Sequence, residues 1–581
     1  MLAGFVHLVA SQVITRLLTF SLNLLTARSL TPEAYGVAAV QFHLINTTIL
    51  FIAREGFRRA CLRIDPSTPH AAARTLRIAA LTIPAGGLLA AGVTAALLRA
   101  VGPGDAVYRR ALGMQGLAAF VEVLSEPLYI LASTRLLFGL RVGVETASMA
   151  AKGLLTLALI RQPGAQPAIA FSWGQLAYAG VMLAGYAACF APELLRHARR
   201  GGAGKGRQAD AAPAAAPSGA SAAAAEGRPA VGNGASGKEG QAAKGPAAPA
   251  AAAATDGDVL RLAGTFTLQA VEKLALAEGS KMAVAAFQGA HDQGVYGLVN
   301  SLGSIVVRTL FQPFEEAAFV AFSKEQGQAA AGPAGLARQA RLLAVLVRCI
   351  TTVGLLAAAF GPAYSHLALL LLYGKRWADT EAPVALGLYS QYLVLLAANG
   401  ILEAFVHSVA TERQLHANNV ALVGFTAVHA GLSVAAVRSG GAAGLIAADA
   451  ANMALRIAYC LRFAAARFAG TPAGFRPRQL LPSGATASAL AASAAVTSAS
   501  RLILMSDSSA LLRAAARHGL QLQLLPPAVA SALARQPAAV LAAAHVGVGA
   551  ACLAVVAATM LRHERSLVSE MHQLRKGSKS Q

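Results

Sequence analysis

The chain has 581 residues, of which 56% are hydrophobic and only 13% charged. Soluble domains carry about 25% charged residues, and a mean hydropathy of +0.53 excludes an ordinary soluble fold. A net charge of +22 would suggest nucleic acid in a soluble protein. Here the basic residues are divided among many short loops, the pattern of positive cytoplasmic loops in a membrane protein, so no nucleic-acid partner is expected. Cys61, Cys189, Cys349, Cys460 and Cys552 stand singly. Neither a disulfide framework nor a metal site is expected from them.

In chain order, apolar runs lie near 4–28, 35–53, 76–99, 111–134, 140–160 and 166–190. Each approaches the roughly 20 residues that a bilayer-spanning helix needs. The first has no clear cleavage site and is too long for a signal-peptide core, so it reads as a retained span. Residues 201–256 are Ala, Gly, Pro and Ser with a few charges and no aromatics, a composition that cannot offset its own ordering entropy. A second set of runs lies near 265–289, 295–320, 342–364, 384–408, 417–437 and 440–462, and two more near 484–505 and 536–561. The predicted fold is an all-α polytopic membrane protein of about fourteen transmembrane helices. Its parts are an N-terminal transmembrane lobe over 1–195 and a disordered cytosolic linker over 196–257. A C-terminal lobe over 258–464, two additional helices over 465–561 and a basic cytosolic tail over 562–581 follow.

The lobes read as repeats. Tyr35-Gly36-Val37 and Tyr296-Gly297-Leu298 stand 296 − 35 = 261 residues apart, and the same offset carries Arg54 onto Glu315 and Glu55 onto Glu316. Parallel repeats with a site at their interface are a common transporter plan. Arg54, Arg58, Arg59, Arg63, Arg74 and Arg77 crowd the loop after the second span, and Arg467, Arg476 and Arg478 follow the twelfth. With Arg562, Arg565, Arg575, Lys576 and Lys579 in the tail, the positive-inside rule puts both termini and the linker in the cytosol. Arg513, Arg517 and Arg535 fall on the opposite side and pull against that orientation for the last pair of spans.

Ionisable groups inside spans are costly and mark functional positions. Arg16 and Asn23 lie seven apart on one face of the first span; they suit an anionic head group or a hydrogen bond to a neighbouring helix. Arg54, Glu55, Arg58 and Arg59 end the second span. A forked guanidinium there suits a diphosphate or lipid phosphates, and equally a positive-inside anchor. Glu122 and Glu126, four apart before Pro127, could share a proton, meet a cation, cap a helix or bridge to Arg135. Glu272, Lys273, Glu278 and Lys281 form either a polar cavity wall or internal pairs. Asn300, Arg308 and Gln312-Pro313-Phe314-Glu315-Glu316 follow, where the proline frees a carbonyl and can kink the helix. Later come Asn399-Gly400, Glu403 and His407, then Asp449, Asn452 and Arg456; Asp449 and Arg456 are two turns apart, so no direct pair is expected. From these, Glu126, Glu278, Asn300, Arg308, Glu315, Glu316, Asn399, Glu403, Asn452 and Arg456 are the cavity or gating candidates. No G-x-S-x-G, Walker loop or H-E-x-x-H is present, so no catalytic residue, cofactor or metal is expected.

Taken together, several motifs resemble the Rft proteins of the endoplasmic reticulum, which are linked to the dolichol oligosaccharide pathway of N-glycosylation. They are Arg16-Leu17-Leu18-Thr19-Phe20 with Asn23, Ala53-Arg54-Glu55-Gly56-Phe57-Arg58-Arg59-Ala60-Cys61, and Asp292-Gln293-Gly294-Val295-Tyr296. Asn300-Ser301-Leu302-Gly303-Ser304, Phe311-Gln312-Pro313-Phe314-Glu315-Glu316, Asn399-Gly400 with Glu403, and Asn452-Met453 with Arg456 complete the set. The resemblance covers roughly 5–463 outside the linker; the long Ala-rich linker and the region after about 464 depart from it. It implies the two-lobed plan of the multidrug, oligosaccharidyl-lipid and polysaccharide exporters. It further implies delivery of a mannose-rich dolichol-diphosphate oligosaccharide from the cytosolic to the lumenal leaflet of the endoplasmic reticulum membrane. Arg16, Asn23, Arg54, Glu55, Arg58 and Arg59 are then the head-group candidates. Two other readings stand beside this one: a non-transporting accessory protein that binds or organises the glycolipid, and a cation-coupled exporter of small organic molecules. The abundance of intramembrane arginine favours an anionic ligand.

Overall fold

A computed structural model of the chain describes residues 20–62, 64, 71–101, 105–135, 137–208, 255–329, 332–469, 477–505 and 537–564. Arg16, most of the first predicted span, most of the predicted linker and most of the tail lie outside these residues. The described part is helical without strands, and eleven of its helices are long and apolar enough to cross a membrane. The first group is α1 (Pro32–Cys61), α2 (Ala71–Ala100), α3 (Ala106–Thr134), α4 (Phe138–Ile160) and α5 (Pro167–Gln208). The second is α6 (Asp256–Phe287), α7 (Ala290–Gln326), α8 (Pro333–Tyr373), α9 (Ala382–Val409) and α10 (Glu412–Arg467). The last pair is α11 (Gly484–Leu504) and α12 (Pro537–His563).

Local chemistry sets several of these boundaries. Thr31 caps α1 by accepting from the Ala34 N–H, with Pro32 at the first helical position where its missing N–H costs nothing. Thr255 and Asp258 form a capping box at the start of α6. Helix α6 carries Lys273, Glu278 and Lys281 along its length, and these charges keep it below the apolarity of the other spans. Helices α1 and α7 each contain a π-helical turn, Val37–Phe42 and Val307–Phe311. In α7 the turn abuts Pro313, which has no N–H to continue the regular ladder.

Helix α10 holds two predicted spans. Its 56 residues would extend about 84 Å if straight, nearly three bilayer cores. Instead Gly441 adopts φ +52°, a conformation that favours glycine. His429 before the bend meets Asp449 after it at 2.8 Å, so the two arms run antiparallel as a helical hairpin.

The lobes touch at two ends. At one, Gly36 of α1 faces the backbone of Ala290 and Gly294 in α7, and Gly294 faces Pro32. A side chain at either glycine would hold the helices apart. Trp377 Nε1 donates to the Ala27 carbonyl at 2.9 Å beside this contact, and His291 lies between Glu33 (2.8 Å) and Glu381 (3.0 Å). At the other, Arg-rich end, Gly56 of α1 lies against Ala263 and Thr267 of α6, and Asp256 bridges Arg74 (2.6 Å) and Arg77 (2.7 Å). Helices α11 and α12 pair with each other and dock on α8. Fully buried His545 stacks on Tyr364 with ring centroids 4.3 Å apart and meets Ser500 Oγ at 2.9 Å; Glu564 bridges to Arg348.

Candidate functional site: an interlobe cavity

Between the two end contacts lies a cavity. Its first-lobe part measures about 480 Å³ and its second-lobe part about 390 Å³. Lys281, Asn300, Ser304 and Arg308 form walls of both. The long π-interrupted helices α1 and α7 supply facing walls, as expected where irregular turns re-aim side chains.

Helix α3 runs parallel to α1, and this aligns two acid–base pairs. Arg54 Nη1 donates to Glu122 Oε1 at 2.9 Å. One turn on, Arg58 grips Glu126 with both Nε and Nη2, the latter at 2.8 Å, and its guanidinium lies 3.8 Å over the Tyr129 ring. Glu122 and Glu126 are 4% and 1% exposed, so each needs its cation. The partner of Glu126 is Arg58, not Arg135, whose guanidinium lies over the Phe190 ring at 5.8 Å. Arg59 pairs with Glu55 one turn away at 2.7 Å. Of the six head-group candidates, Asn23 and Arg54 line the cavity. Glu55, Arg58 and Arg59 are engaged in ion pairs behind it, and Arg16 lies outside the described residues.

Sequence reasoning missed several cavity residues, Lys152 and His43 among them. Lys152 of α4 donates to Gln175 Oε1 at 2.6 Å and faces the first-lobe chamber; its only advance signal was a lone lysine in an apolar span. His43 of α1, the one histidine in its span, meets Lys281 Nζ at 3.0 Å and Glu278 Oε1 at 3.2 Å, while Lys281 also bonds Glu278 at 2.7 Å. Glu278 thus stands in an internal pair that itself joins the lobes. Deeper in the first lobe, Asn46 donates to Gln115 at 2.7 Å and Gln115 to Ser172 at 3.2 Å.

In the second lobe, Asn300, Arg308, Asn452 and Arg456 line the cavity. Arg456 Nε donates to Glu403 at 2.7 Å. Glu315 approaches the same group over Gly400, where a Cβ would sit 2.8 Å from Glu315 Oε2. Asn399 is buried, with its Oδ1 unpartnered among the described residues. Glu315, Asn399 and Glu403 therefore stand behind Arg456, whereas Glu316 is exposed and outside the cluster. Asp449 accepts from Ser280 Oγ at 2.7 Å and meets His429 at 2.8 Å, not Arg456.

Among the described residues, the cavity walls carry five cationic side chains, Arg54, Lys152, Lys281, Arg308 and Arg456, against two carboxylates, Glu122 and Asp449. Glu278 behind Lys281 and Glu403 behind Arg456 bring the balance to 5 − 4 = +1, and in a low-dielectric surround an excess of that sign favours an anion. Guanidinium and ammonium groups on facing helices suit phosphate oxygens.

The chain folds as a two-lobed helical bundle around a charged interlobe cavity, and this fold matches a solved membrane protein. The structure titled "Lipid II flippase MurJ, inward closed conformation" superposes over 97% of this chain and 100% of its own, with TM-score 0.56 at 11% identity. The sequence matches the Rft protein family over residues 1–574, and the chain belongs to that family. Among its relatives is the Man(5)GlcNAc(2)-PP-dolichol translocation protein RFT1 of Xenopus tropicalis, 30% identical over 86% of this chain and 88% of that one. The protein of the same name from Dictyostelium discoideum is 28% identical over 73% and 78%.

Proposed function

We propose that this protein moves a dolichol-diphosphate-linked, mannose-rich oligosaccharide from the cytosolic to the lumenal leaflet of the endoplasmic reticulum membrane, without chemically changing it. The observation that carries this reading is the cationic excess of the interlobe cavity, in a family whose relatives bear a name for that translocation. A diphosphate with attached sugars cannot cross hydrocarbon unaided. Arg54, Lys152, Lys281 and Arg308 would replace its water, with Asn23 and Asn300 as neutral donors. The polyprenyl tail stays in lipid, and the lobes rock about the bound head group. The Arg-rich end faces the cytosol, with both chain termini and the linker on that side.

The test is reconstitution. Vesicles holding the purified protein should transfer the dolichol-linked oligosaccharide between leaflets faster than empty vesicles, and Lys152→Gln should slow that transfer. Binding without acceleration would instead establish the accessory role, a membrane protein that holds the glycolipid for another to move.

A further inference from the structure

The two halves of the cavity differ in chemistry. The first-lobe half is where Arg54 and Lys152 stand. The second-lobe half adds Tyr389, Tyr392, His429, Asp449 and Asn452. Tyr389 and Tyr392 meet edge to face, ring centroids 5.5 Å apart, and Tyr389 is seated against Gly303, where no Cβ would fit. Such fixed rings offer apolar faces at little entropic cost. Both described hydrogen bonds to Asp449 reach Oδ1, from Ser280 at 2.7 Å and His429 at 2.8 Å, leaving Oδ2 to accept from a ligand. Asn452 Oδ1 is buried and has no hydrogen-bond partner among the described residues. A buried amide oxygen left unpaired costs free energy, and a ligand donor would recover it. The one strong cation peculiar to this half, Arg456, is already matched by Glu403 at 2.7 Å.

We infer that the second-lobe half of the cavity is a sugar site: Asp449 and Asn452 accept hydroxyl or N-acetyl N–H groups, and Tyr389 and Tyr392 carry the sugar faces. This rests on the diphosphate reading above. A diphosphate held by Lys281 and Arg308, which border both halves, places the sugars bonded to it against these residues. A chamber of about 390 Å³ accommodates a group of roughly drug size, not a whole branched oligosaccharide. The site therefore reads the N-acetylglucosamine units next to the diphosphate, and the outer mannoses lie beyond it. A site built to pair hydroxyls discriminates against ligands that lack them.

The experiment measures binding of three short-chain polyprenyl diphosphates to the full-length protein in lipid nanodiscs. One is sugar-free, one carries two N-acetylglucosamines, and one carries the full mannose-containing chain. The disaccharide form should bind about tenfold tighter than the sugar-free form, the gain of one or two good hydrogen bonds, and the mannoses should add little. Asp449→Asn and Asn452→Ala, with melting temperatures confirming a folded protein, should each shrink that preference; Asn452→Ala should leave sugar-free binding unchanged, whereas Asp449→Asn removes a cavity carboxylate and should tighten the diphosphate contribution of all three ligands alike. A preference that persists in both variants, or an equal loss for all three ligands, overturns the sugar site. The disaccharide and sugar-free forms binding equally well to the unmodified protein also overturns it, while leaving the diphosphate reading standing. Sugar-free binding that is indifferent to Lys152→Gln and Arg54→Gln overturns the diphosphate reading instead.

Discussion

Replacing Glu122 by Gln should tighten the grip on a diphosphate, whereas replacing Arg54 should loosen it, although the two residues form one ion pair. Glu122 is 4% exposed, accepts from Arg54 at 2.9 Å and from Gln175 Nε2 at 3.4 Å. Glutamine keeps an accepting oxygen of the same shape and removes the charge. Breaking a buried pair outright costs about 3–5 kcal/mol. Arg54 still has Glu126 at 4.0 Å and is 23% exposed to the cavity, so we expect about 1–2 kcal/mol and a melting temperature lower by a few degrees. The cavity walls become one charge more positive. One added charge about 6 Å from a phosphate, at an effective dielectric of about 20, is worth about 2–3 kcal/mol before salt screening, or roughly thirty- to a hundredfold in affinity. Arg54→Gln removes a cation and bares Glu122, so its effect has the opposite sign. Titration of both variants with a sugar-free polyprenyl diphosphate in nanodiscs reads these shifts directly. Tighter ground-state binding should also slow translocation, because a ligand bound too well is released late. Weaker binding by folded Glu122→Gln protein, in the same direction as Arg54→Gln, would refute the electrostatic argument.

Arg58→Ala should destabilise the protein by about 3 kcal/mol, since it leaves buried Glu126 with Arg54 alone at 4.0 Å; thermal unfolding that matches the unmodified chain would make the pair dispensable. Gly294→Val should wedge α7 away from Pro32 and raise cysteine labelling of sites between the lobes at that end; unaltered labelling would show the contact to be slack. The hydrogen bond from Arg74, with the charge of Arg77, holds the Asp256 carboxyl below its ordinary range. That bridge is therefore complete above the ordinary carboxylate range and lost as pH falls through the lowered value. Spin-label distances across the Arg-rich end should lengthen on acidification, and Asp256→Asn should abolish the pH dependence; a dependence surviving in that variant assigns it elsewhere. His545→Ala removes the ring stacked on Tyr364 and the bond to Ser500, so α11–α12 should become protease-sensitive while α1–α10 stay protected; uniform resistance would contradict this docking.

Much of the architecture was legible because apolar runs of spanning length need no tertiary information to be recognised. The bend at Gly441 was legible only as a gap between two runs, since nothing local distinguishes it from the other glycines of Gly440-Gly441 and Gly444. The charges of α6 read from the sequence as either a polar cavity wall or internal pairs; Lys281 lines the cavity and also bonds Glu278, and their partner His43 lies 235 residues away from Glu278, beyond any local pattern. The Arg54–Glu122 and Arg58–Glu126 pairs did leave a trace. Both span 68 residues, so two arginines four apart on α1 face two glutamates four apart on α3. Matched spacing on parallel helices is a signal that single-span reading overlooks. Lys152 and the tyrosines of the second lobe carried no such trace, because their importance comes only from which way their helices turn.

The distribution of interaction strengths fits the proposed motion. Rocking requires that the end contacts open alternately while the interior of each lobe stays intact. Inside the first lobe, the arginine–glutamate pairs involve carboxylates whose side chains are 5% and 2% exposed, and breaking them costs several kcal/mol. At the ends, the bridging carboxylates are far more open: 54% for Glu33, 68% for Glu381 and 41% for Asp256. Pairs that exposed contribute about 1 kcal/mol or less each. The stronger end contacts are apolar: Trp377 and Tyr35 at one end, and Val259 and Ala263 of α6 against the first lobe at the other. Opening an end therefore costs chiefly that apolar contact and leaves the buried ion pairs whole. The repeat offset aligns Arg54 with Glu315, so equivalent positions on α1 and α7 carry opposite charge, and the second lobe's cavity cations, Lys281, Arg308 and Arg456, come from α6, α7 and α10. A diphosphate is therefore expected at the seam, held by Arg54 and Lys152 of the first lobe and by Lys281 and Arg308 of the second, with its sugars against the second lobe.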